Sequence, residues 1–80
     1  MVNGRWELQD VRLKPGEDPH EEILARHDVD EMTAASARSA VTLRLKSHLK
    51  SGDPANCVRV VNGRGEVVVA VTAAEIRDAG

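Results

Sequence analysis

The sequence predicts a small α+β domain: an antiparallel sheet of three or four strands, with one main helix on one face and a short C-terminal helix. Three observations lead to this prediction. Two valine-rich runs flank a glycine-bearing segment between residues 57 and 72. An alternating stretch stands at residues 5–14, and residues 30–50 carry apolar side chains at helical spacing. The order β-β-α-β-β fits best, in a single domain of residues 1–80.

The first strand is predicted at residues 5–14, where apolar and polar side chains alternate. The apolar side chains change parity in the middle of this run. A strand that buries all of them on one face therefore requires a bulge near Gln9-Asp10. The two sets are Trp6 with Leu8, and Val11 with Leu13.

Residues 20–31 allow two interpretations. Side chains recur with period two from Ile23 to Val29, which favours a strand paired with the first one across the Pro- and Gly-containing turn at residues 14–19. A capping-box pattern at residues 18–21 would instead open a short helix. We favour the strand.

The main helix is predicted within residues 30–50, with Asp30 or Thr33 as its cap and residues 51–54 as its stop. Its apolar stripe is the face expected to lie on the sheet. Leu43 falls nearly opposite this stripe, where a second chain could dock. The stripe consists of Ala34, Ala37, Val41, Leu45, His48 and Leu49.

The segment from Cys57 to Thr72 predicts a β-hairpin, because β-branched side chains suit a pleated surface. Asn62-Gly63 and Arg64-Gly65 lie between its arms, so a two-residue turn at Asn62-Gly63 and a longer bulged loop both fit. The second arm is apolar on both faces, which predicts a central strand or an edge strand that another chain completes. Thr72 and Glu75 form a capping box that opens the short terminal helix.

The core must be built almost without aromatic side chains. Trp6 is the only one among 80 residues. Aromatic side chains each bury about 150–250 Å², so a chain of this size has little apolar surface in reserve. Small scaffolds are commonly stabilised by disulfides, metal ions or self-association. Cys57 is the only cysteine and the candidate metal ligands are scattered, so self-association is the expected stabiliser.

The sequence holds no complete catalytic, metal-binding or phosphate-binding motif. His20 and His27 lack helical i, i+4 spacing and have no cysteine nearby, so we interpret them as solvated histidines. His48 stands near the end of the predicted helix, where a positive imidazole is favourable. Cys57 is expected to behave as a small buried hydrophobe. We therefore predict no catalytic residue, cofactor or metal, and rank an enzyme with a site between subunits last.

Charge is distributed unevenly along the chain, although the net charge is only −2. Acidic residues dominate from Glu17 to Glu31, and basic residues dominate from Arg38 to Arg64. Solvation and complementarity to the helix dipole explain this pattern most simply. The alternative is a basic surface that binds an acidic partner or nucleic acid, formed by Arg38, Arg44, Lys46, Lys50 and Arg64.

The favoured function is a non-catalytic protein-interaction module that associates with itself as a homodimer, with another protein as an alternative partner. A nucleic-acid-binding accessory or regulatory protein is the second hypothesis. The acidic net charge and the lack of stacking aromatics count against it. The predicted interface consists of Leu43, Val67, Val69 and Val71.

The expected location is the cytoplasm. No apolar run reaches the roughly 18–20 residues that span a bilayer, and residues 1–10 lack the apolar segment of a secretory signal, so no membrane partner is expected. The compactness of the chain favours a bacterial source. The order of strand, helix and terminal hairpin is similar to that of many short bacterial domains, but no motif identifies one family.

Overall fold

The computed structural model describes residues 5–79, so the predicted limits of the domain, residues 1 and 80, lie outside the described residues. The α+β prediction and the order β-β-α-β-β are confirmed, and residues 20–29 form a strand. All pairings in the four-stranded sheet are antiparallel, in the order β2-β1-β3-β4. The elements are β1 (Trp6–Lys14), β2 (His20–Val29), α1 (Ala34–Ser51), β3 (Cys57–Val61), β4 (Val67–Thr72) and α2 (Ala73–Ala79).

The core lies between one face of the sheet and α1, which packs mainly on β3 and β4. The molecule measures 38 × 29 × 19 Å, so it is two layers thick, and no helix of the described part of the chain covers the opposite face of the sheet. We call that opposite side the open face. The buried core contains only aliphatic side chains: Leu8, Ala37, Val41, Leu45, Val58, Val60, Val69 and Val71.

In β1 the apolar side chains change from even to odd positions, and the sheet accommodates this change differently from the prediction. A register shift does occur between Asp10 and Val11, but the additional residue is Leu24 in β2. β1 itself pairs regularly with β3 through this point. Because side chains alternate along a regular strand, Trp6 and Leu8 lie on the α1 side, whereas Val11 lies on the open face. The prediction that a bulge would bring all four apolar residues to one face is therefore wrong.

Both ends of α1 are capped by local hydrogen bonds. Thr33 is the N-cap, and its Oγ1 accepts the backbone N–H of Ser36 at 3.1 Å. At the other end, Gly52 has φ of 75°, which only glycine adopts without strain. The N–H of Gly52 donates to Leu49 O at 3.4 Å, and that of Asp53 donates to His48 O at 3.0 Å, which is a Schellman motif. This motif fixes Asp53 directly beside the last turn of α1.

The hairpin between β3 and β4 has the longer, bulged connection of the two that were predicted. Asn62 N–H donates to Glu66 O at 2.9 Å, and Asn62 Oδ1 accepts the N–H groups of Arg64 and Glu66. A register shift between Val60 and Val61 leaves Val68 as the additional residue of β4. In the strand order β2-β1-β3-β4, β4 lies at one edge of the sheet, so it is an edge strand and not a central one.

The chain ends in α2, which begins at the predicted capping box. Glu75 N–H donates to Thr72 Oγ1, and Glu75 Oε1 accepts the Thr72 N–H, both at 3.3 Å. Ile76 packs half-buried against the core. Neither helix within residues 5–79 has the length and apolar character needed to cross a membrane.

Candidate functional site

The residues of the predicted interface occupy different environments. Val69 and Val71 are 8% and 4% exposed and belong to the chain's own core. Val67 is 52% exposed at the start of β4, and Leu43 is 70% exposed on α1. The side chains of Val69 and Val71 are therefore turned inward, so β4 can offer a partner chiefly its backbone edge. Leu43 belongs to a separate surface, on the outer side of α1.

The outer edge of β4 has backbone groups available for pairing. Ala73 N–H donates to Asn56 O at 2.9 Å, which fixes the pattern of the ladder between β3 and β4. Because hydrogen-bonded and non-hydrogen-bonded pairs alternate in an antiparallel ladder, Val71 and Val69 turn their backbone groups toward β3. Ala70 and Thr72 turn theirs outward, and Glu75 takes the N–H of Thr72. Ala70 thus stands at the middle of the free edge.

The two edge strands differ in their protection against pairing. β4 reads VVVAVT and carries no charge and no proline. β2 reads HEEILARHDV, carries four fully charged residues besides its histidines, and contains the additional residue Leu24. Charged side chains and bulges are the usual means by which proteins block pairing at an exposed edge. Both edge strands contain an additional residue, Leu24 in β2 and Val68 in β4, so the two edges differ in charge: the edge of β2 is charged and the edge of β4 is not.

The open face of the sheet is covered by a polar network rather than by a helix. Arg59 lies across it from β3, with its Nε donating to Gln9 Oε1 at 2.7 Å. Its terminal nitrogens donate to the carboxylate of Glu21 on β2 at 3.0 and 3.1 Å. Gln9 in turn donates to Glu7 Oε1 at 2.7 Å. The Arg59 side chain is only 16% exposed, so this network seals the centre of the open face.

A second charged cluster joins the sheet to α1 on the opposite side. Asp10 lies on β1 with its side chain 4% exposed. Arg44 binds both of its oxygens, with Nε to Oδ1 and a terminal nitrogen to Oδ2, each at 2.7 Å. His27 Nε2 lies 3.4 Å from Asp10 Oδ2 and 2.9 Å from the Arg44 nitrogen. We call this group, with His48 and Asp53, the Asp10 cluster.

His48 stands between two carboxylates of the Asp10 cluster. Its Nδ1 lies 2.9 Å from Asp53 Oδ2, and its Nε2 lies 3.1 Å from Asp10 Oδ1. The Nε2 atom is buried and makes no hydrogen bond, so the second contact is electrostatic and is an ion pair when His48 carries a proton. His48 therefore links strand and helix with its side chain 18% exposed; the sequence predicted its place on the stripe that faces the sheet and near the helix end, but not its place between two carboxylates.

The electrostatics of the cluster follow from these contacts. Burial raises the pKa of Asp10, but the contacts and charges of Arg44 and His48 outweigh it and lower the pKa of Asp10 to about 2. The hydrogen bond to Asp53 raises the pKa of His48, against an opposing effect of burial and with further support from Asp10. The hydrogen bond to Asp10 raises the pKa of Arg44. Asp10 consequently stays ionised at neutral pH.

The predicted basic surface is not one continuous patch. Arg44 is occupied by Asp10. Arg64 lies in the β3–β4 loop, at the end of the sheet where α1 begins, because Val61 pairs with Glu7 and Trp6 pairs with Val29. Lys46 and Lys50 lie near the other end of α1, and Arg38 lies in its first half.

The remaining candidates for chemistry are separated from one another. Cys57 is buried on the open face, opposite Val11, and burial raises the pKa of its thiol. The two histidines of the Asp10 cluster lie on the other side of the sheet, so neither can act as a base for this thiol. Within residues 5–79, no group of three or more His, Cys, Asp or Glu side chains is arranged to hold a metal ion.

Two open depressions lie at the ends of the open face. One, of about 540 Å³, is bordered by Arg59, Glu21, Val61 and the β3–β4 loop. The other, of about 640 Å³, lies between the β1–β2 turn and the start of α2, and Leu13, Asn56 and Ala73 line it. Asn56 closes that end by donating to Leu13 O and accepting the Leu13 N–H, at 3.0 and 2.7 Å.

Sequence reasoning missed the two residues on which these polar networks depend, Asp10 and Arg59. The available signal was clearest at Arg59, which stands between Val58 and Val60 in an otherwise apolar run, whereas Asp10 precedes Val11 in a strand that already alternates apolar and polar residues. A charge at such a position must be paired to be buried. Comparison of the chain with protein-family models, with curated proteins and with solved structures gives no match.

Proposed function

We propose that this protein is a non-catalytic interaction module that pairs with a second copy of itself along the outer edge of β4. The observation that carries the proposal is the contrast between the uncharged edge of β4 and the charged edge of β2. An uncharged edge strand with outward backbone groups is a template for another strand. The Arg59 network covers the centre of the open face, so face-to-face packing of two sheets is less favourable.

Antiparallel pairing about a two-fold axis at Ala70 satisfies the outward backbone groups of Ala70 in both copies. Ala70 would stand opposite the same residue of the second copy and exchange two hydrogen bonds with it. Val69 would stand opposite Val71 of the second copy, with both side chains on the α1 side. The two four-stranded sheets would then form one continuous sheet, with both copies of α1 on the same side.

The association is expected to be weak. β4 has six residues, and pairing along so short an edge buries less than the roughly 1,200–2,000 Å² of a standard interface. We therefore expect a dissociation constant on the order of micromolar. A reducing cytoplasm suits the proposal, because the one cysteine of the chain is a buried free thiol.

Sedimentation velocity from low micromolar to millimolar concentration tests the proposal. Ala70→Pro removes the outward N–H without removing a bond to β3, so it should give a folded monomer. Ala70→Thr keeps the N–H and has a higher strand propensity, so it is the matched control and should associate at least as well as wild type. Circular dichroism would verify that both variants fold.

Leu43→Glu distinguishes the edge of β4 from the surface of α1. The proposal expects this variant to associate like wild type, because Leu43 lies on the outer side of α1. Dissociation by Leu43→Glu together with an unaffected Ala70→Pro would move the interface to the helix. A wild-type chain that sediments as a monomer at every concentration would also refute the proposal.

A further inference from the structure

The Asp10 cluster connects α1 to a part of the sheet that the helix hardly covers otherwise. α1 packs mainly on β3 and β4, whereas Asp10 lies on β1 and His27 on β2. Arg44 and His48 reach Asp10 from α1, and Asp53 follows the Schellman motif at the end of the helix. The cluster therefore fastens the C-terminal half of α1 to the middle of the sheet.

The contacts place different demands on the ring nitrogens of the two histidines. A guanidinium group has only donors, so the 2.9 Å contact between Arg44 and His27 Nε2 needs an unprotonated nitrogen on His27. His48 presents each ring nitrogen to a carboxylate oxygen, at 2.9 Å for Asp53 and 3.1 Å for Asp10. Carboxylates only accept, so both ring nitrogens of His48 must carry hydrogen for both contacts to be favourable.

This arrangement is electrically neutral. Arg44 and His48 supply two positive charges, Asp10 and Asp53 supply two negative charges, and His27 contributes none. These five groups are the charged and titratable side chains that meet around His48, from β1, β2, α1 and the loop after α1. Asp10 is the buried member of the cluster, and a buried charge is most stable when the charges around it balance it, so loss of the proton on His48 disturbs the arrangement.

We propose that the Asp10 cluster is a pH-responsive clasp, which is closed while His48 carries a proton and which loosens the last turn of α1 from β1 when His48 loses it. Neutral His48 keeps one N–H. If that N–H stays on Nδ1, the lone pair of Nε2 faces Asp10 Oδ1 at 3.1 Å, and the other tautomer loses the bond to Asp53. Arg44 still binds Asp10, so the helix loosens at its end and does not unfold.

The direction of the pH dependence follows from the same contacts. The pKa of His48 is raised from 6.5, so its stabilising contribution is complete below pH 6.5 and is lost as the pH rises through the raised value. The pKa of Asp10 is lowered from 3.8, so its contribution is complete above pH 3.8. The clasp is therefore closed in mildly acidic solution and opens on the alkaline side.

Nuclear magnetic resonance on the wild-type protein tests this proposal. The pH at which the imidazole signals of His48 change is compared with the ordinary pKa of 6.5 for a histidine. We expect His48 to keep its proton above this pH, and His27 to carry its hydrogen on Nδ1. Across the His48 transition, exchange protection of the last turn, residues 48–51, should fall about tenfold for each unit by which the pKa of His48 is raised, while residues 37–41 keep theirs.

His48→Gln provides the matched variant, because its amide can still donate to Asp53 but does not titrate. In this variant the protection of residues 48–51 should no longer change across that pH range. The proposal is overturned if His48 loses its proton at or below pH 6.5 in the wild type. It is also overturned if the last turn keeps its protection after His48 has lost its proton, a result that does not depend on the folding of any variant.

Discussion

Replacement of Arg59 should reveal how strongly the polar network on the open face stabilises the sheet. In Arg59→Ala, the buried Gln9 side chain loses its hydrogen-bond donor, and Glu21 loses its partner. An unsatisfied buried acceptor costs about 1–3 kcal/mol. The pair with Glu21 adds about 0–1 kcal/mol, because that carboxylate is half exposed. Together these effects predict a loss of about 1–4 kcal/mol in the free energy of unfolding.

Two further variants separate the contributions to this loss. Arg59→Met retains an apolar chain over the neighbouring Val11 and Cys57, so it should cost less than Arg59→Ala. Glu21→Gln removes only the charge of the partner and should cost less than about 1 kcal/mol. The expected order of destabilisation is Arg59→Ala, then Arg59→Met, then Glu21→Gln.

Urea unfolding measures these differences, with Trp6 fluorescence and circular dichroism as two probes of one transition. With a slope near 1 kcal/mol per molar urea, Arg59→Ala should lower the midpoint by about 1–4 M. Protein concentration must be the same for all variants, because self-association adds to apparent stability. If Glu21→Gln costs as much as Arg59→Ala, the ion pair and not the satisfied glutamine stabilises the open face, and the reasoning is refuted. An Arg59→Ala midpoint equal to that of wild type refutes it as well.

Three further perturbations test the core, the helix cap and the buried carboxylate. Leu45→Ala should lower the free energy of unfolding in urea by about 2–5 kcal/mol, because Leu45 is fully buried. Leu43→Ala should change it by no more than about 0.5 kcal/mol, because Leu43 is exposed. Equal costs would contradict the assignment of the core. Gly52→Ala should lower the melting temperature by the equivalent of about 1–2 kcal/mol, because φ is 75° at this position. No atom lies within 4 Å of an added Cβ, so the cost comes from the backbone conformation and not from a clash. An unchanged melting temperature would show that the αL cap carries no strain. The wild-type protein should lose stability as the pH falls from 3.8 through about 2, because Asp10 becomes protonated. In Asp10→Asn this loss of stability at acid pH should be smaller. If the variant loses as much stability as wild type over this pH range, other carboxylates cause the loss.

The elements that could be predicted from the sequence are those set by local rules. The hairpin follows from β-branched residues on either side of a glycine-bearing loop, and α1 follows from its cap, its apolar spacing and the glycine that ends it. β2 was harder to predict, because residues 18–21 also fit a helix cap. Pairing with β1 on nine positions favours the strand, and this tertiary contact is invisible in the local pattern.

The polar networks could not be derived in the same way, because each joins residues far apart in the chain. Arg44 meets Asp10 across 34 positions, and Arg59 meets Gln9 across 50. Alternation along β1 places Gln9 and Asp10 on opposite faces, so adjacent residues serve two separate networks. Without the order of the strands, the sequence offers no means of choosing partners for either residue.

The difference in charge between the two edge strands of the sheet also limits how large an assembly can become. If two copies join through β4, that edge is no longer available for pairing. Both ends of the joined sheet then present β2 with its charges and its extra residue. Neither end can then recruit a third copy by the same contact, so growth stops at two instead of continuing as a fibril. β4 is rich in valine and would promote aggregation if strands could add to it without limit. In a dimer that presents only β2 at its two ends, this risk is removed.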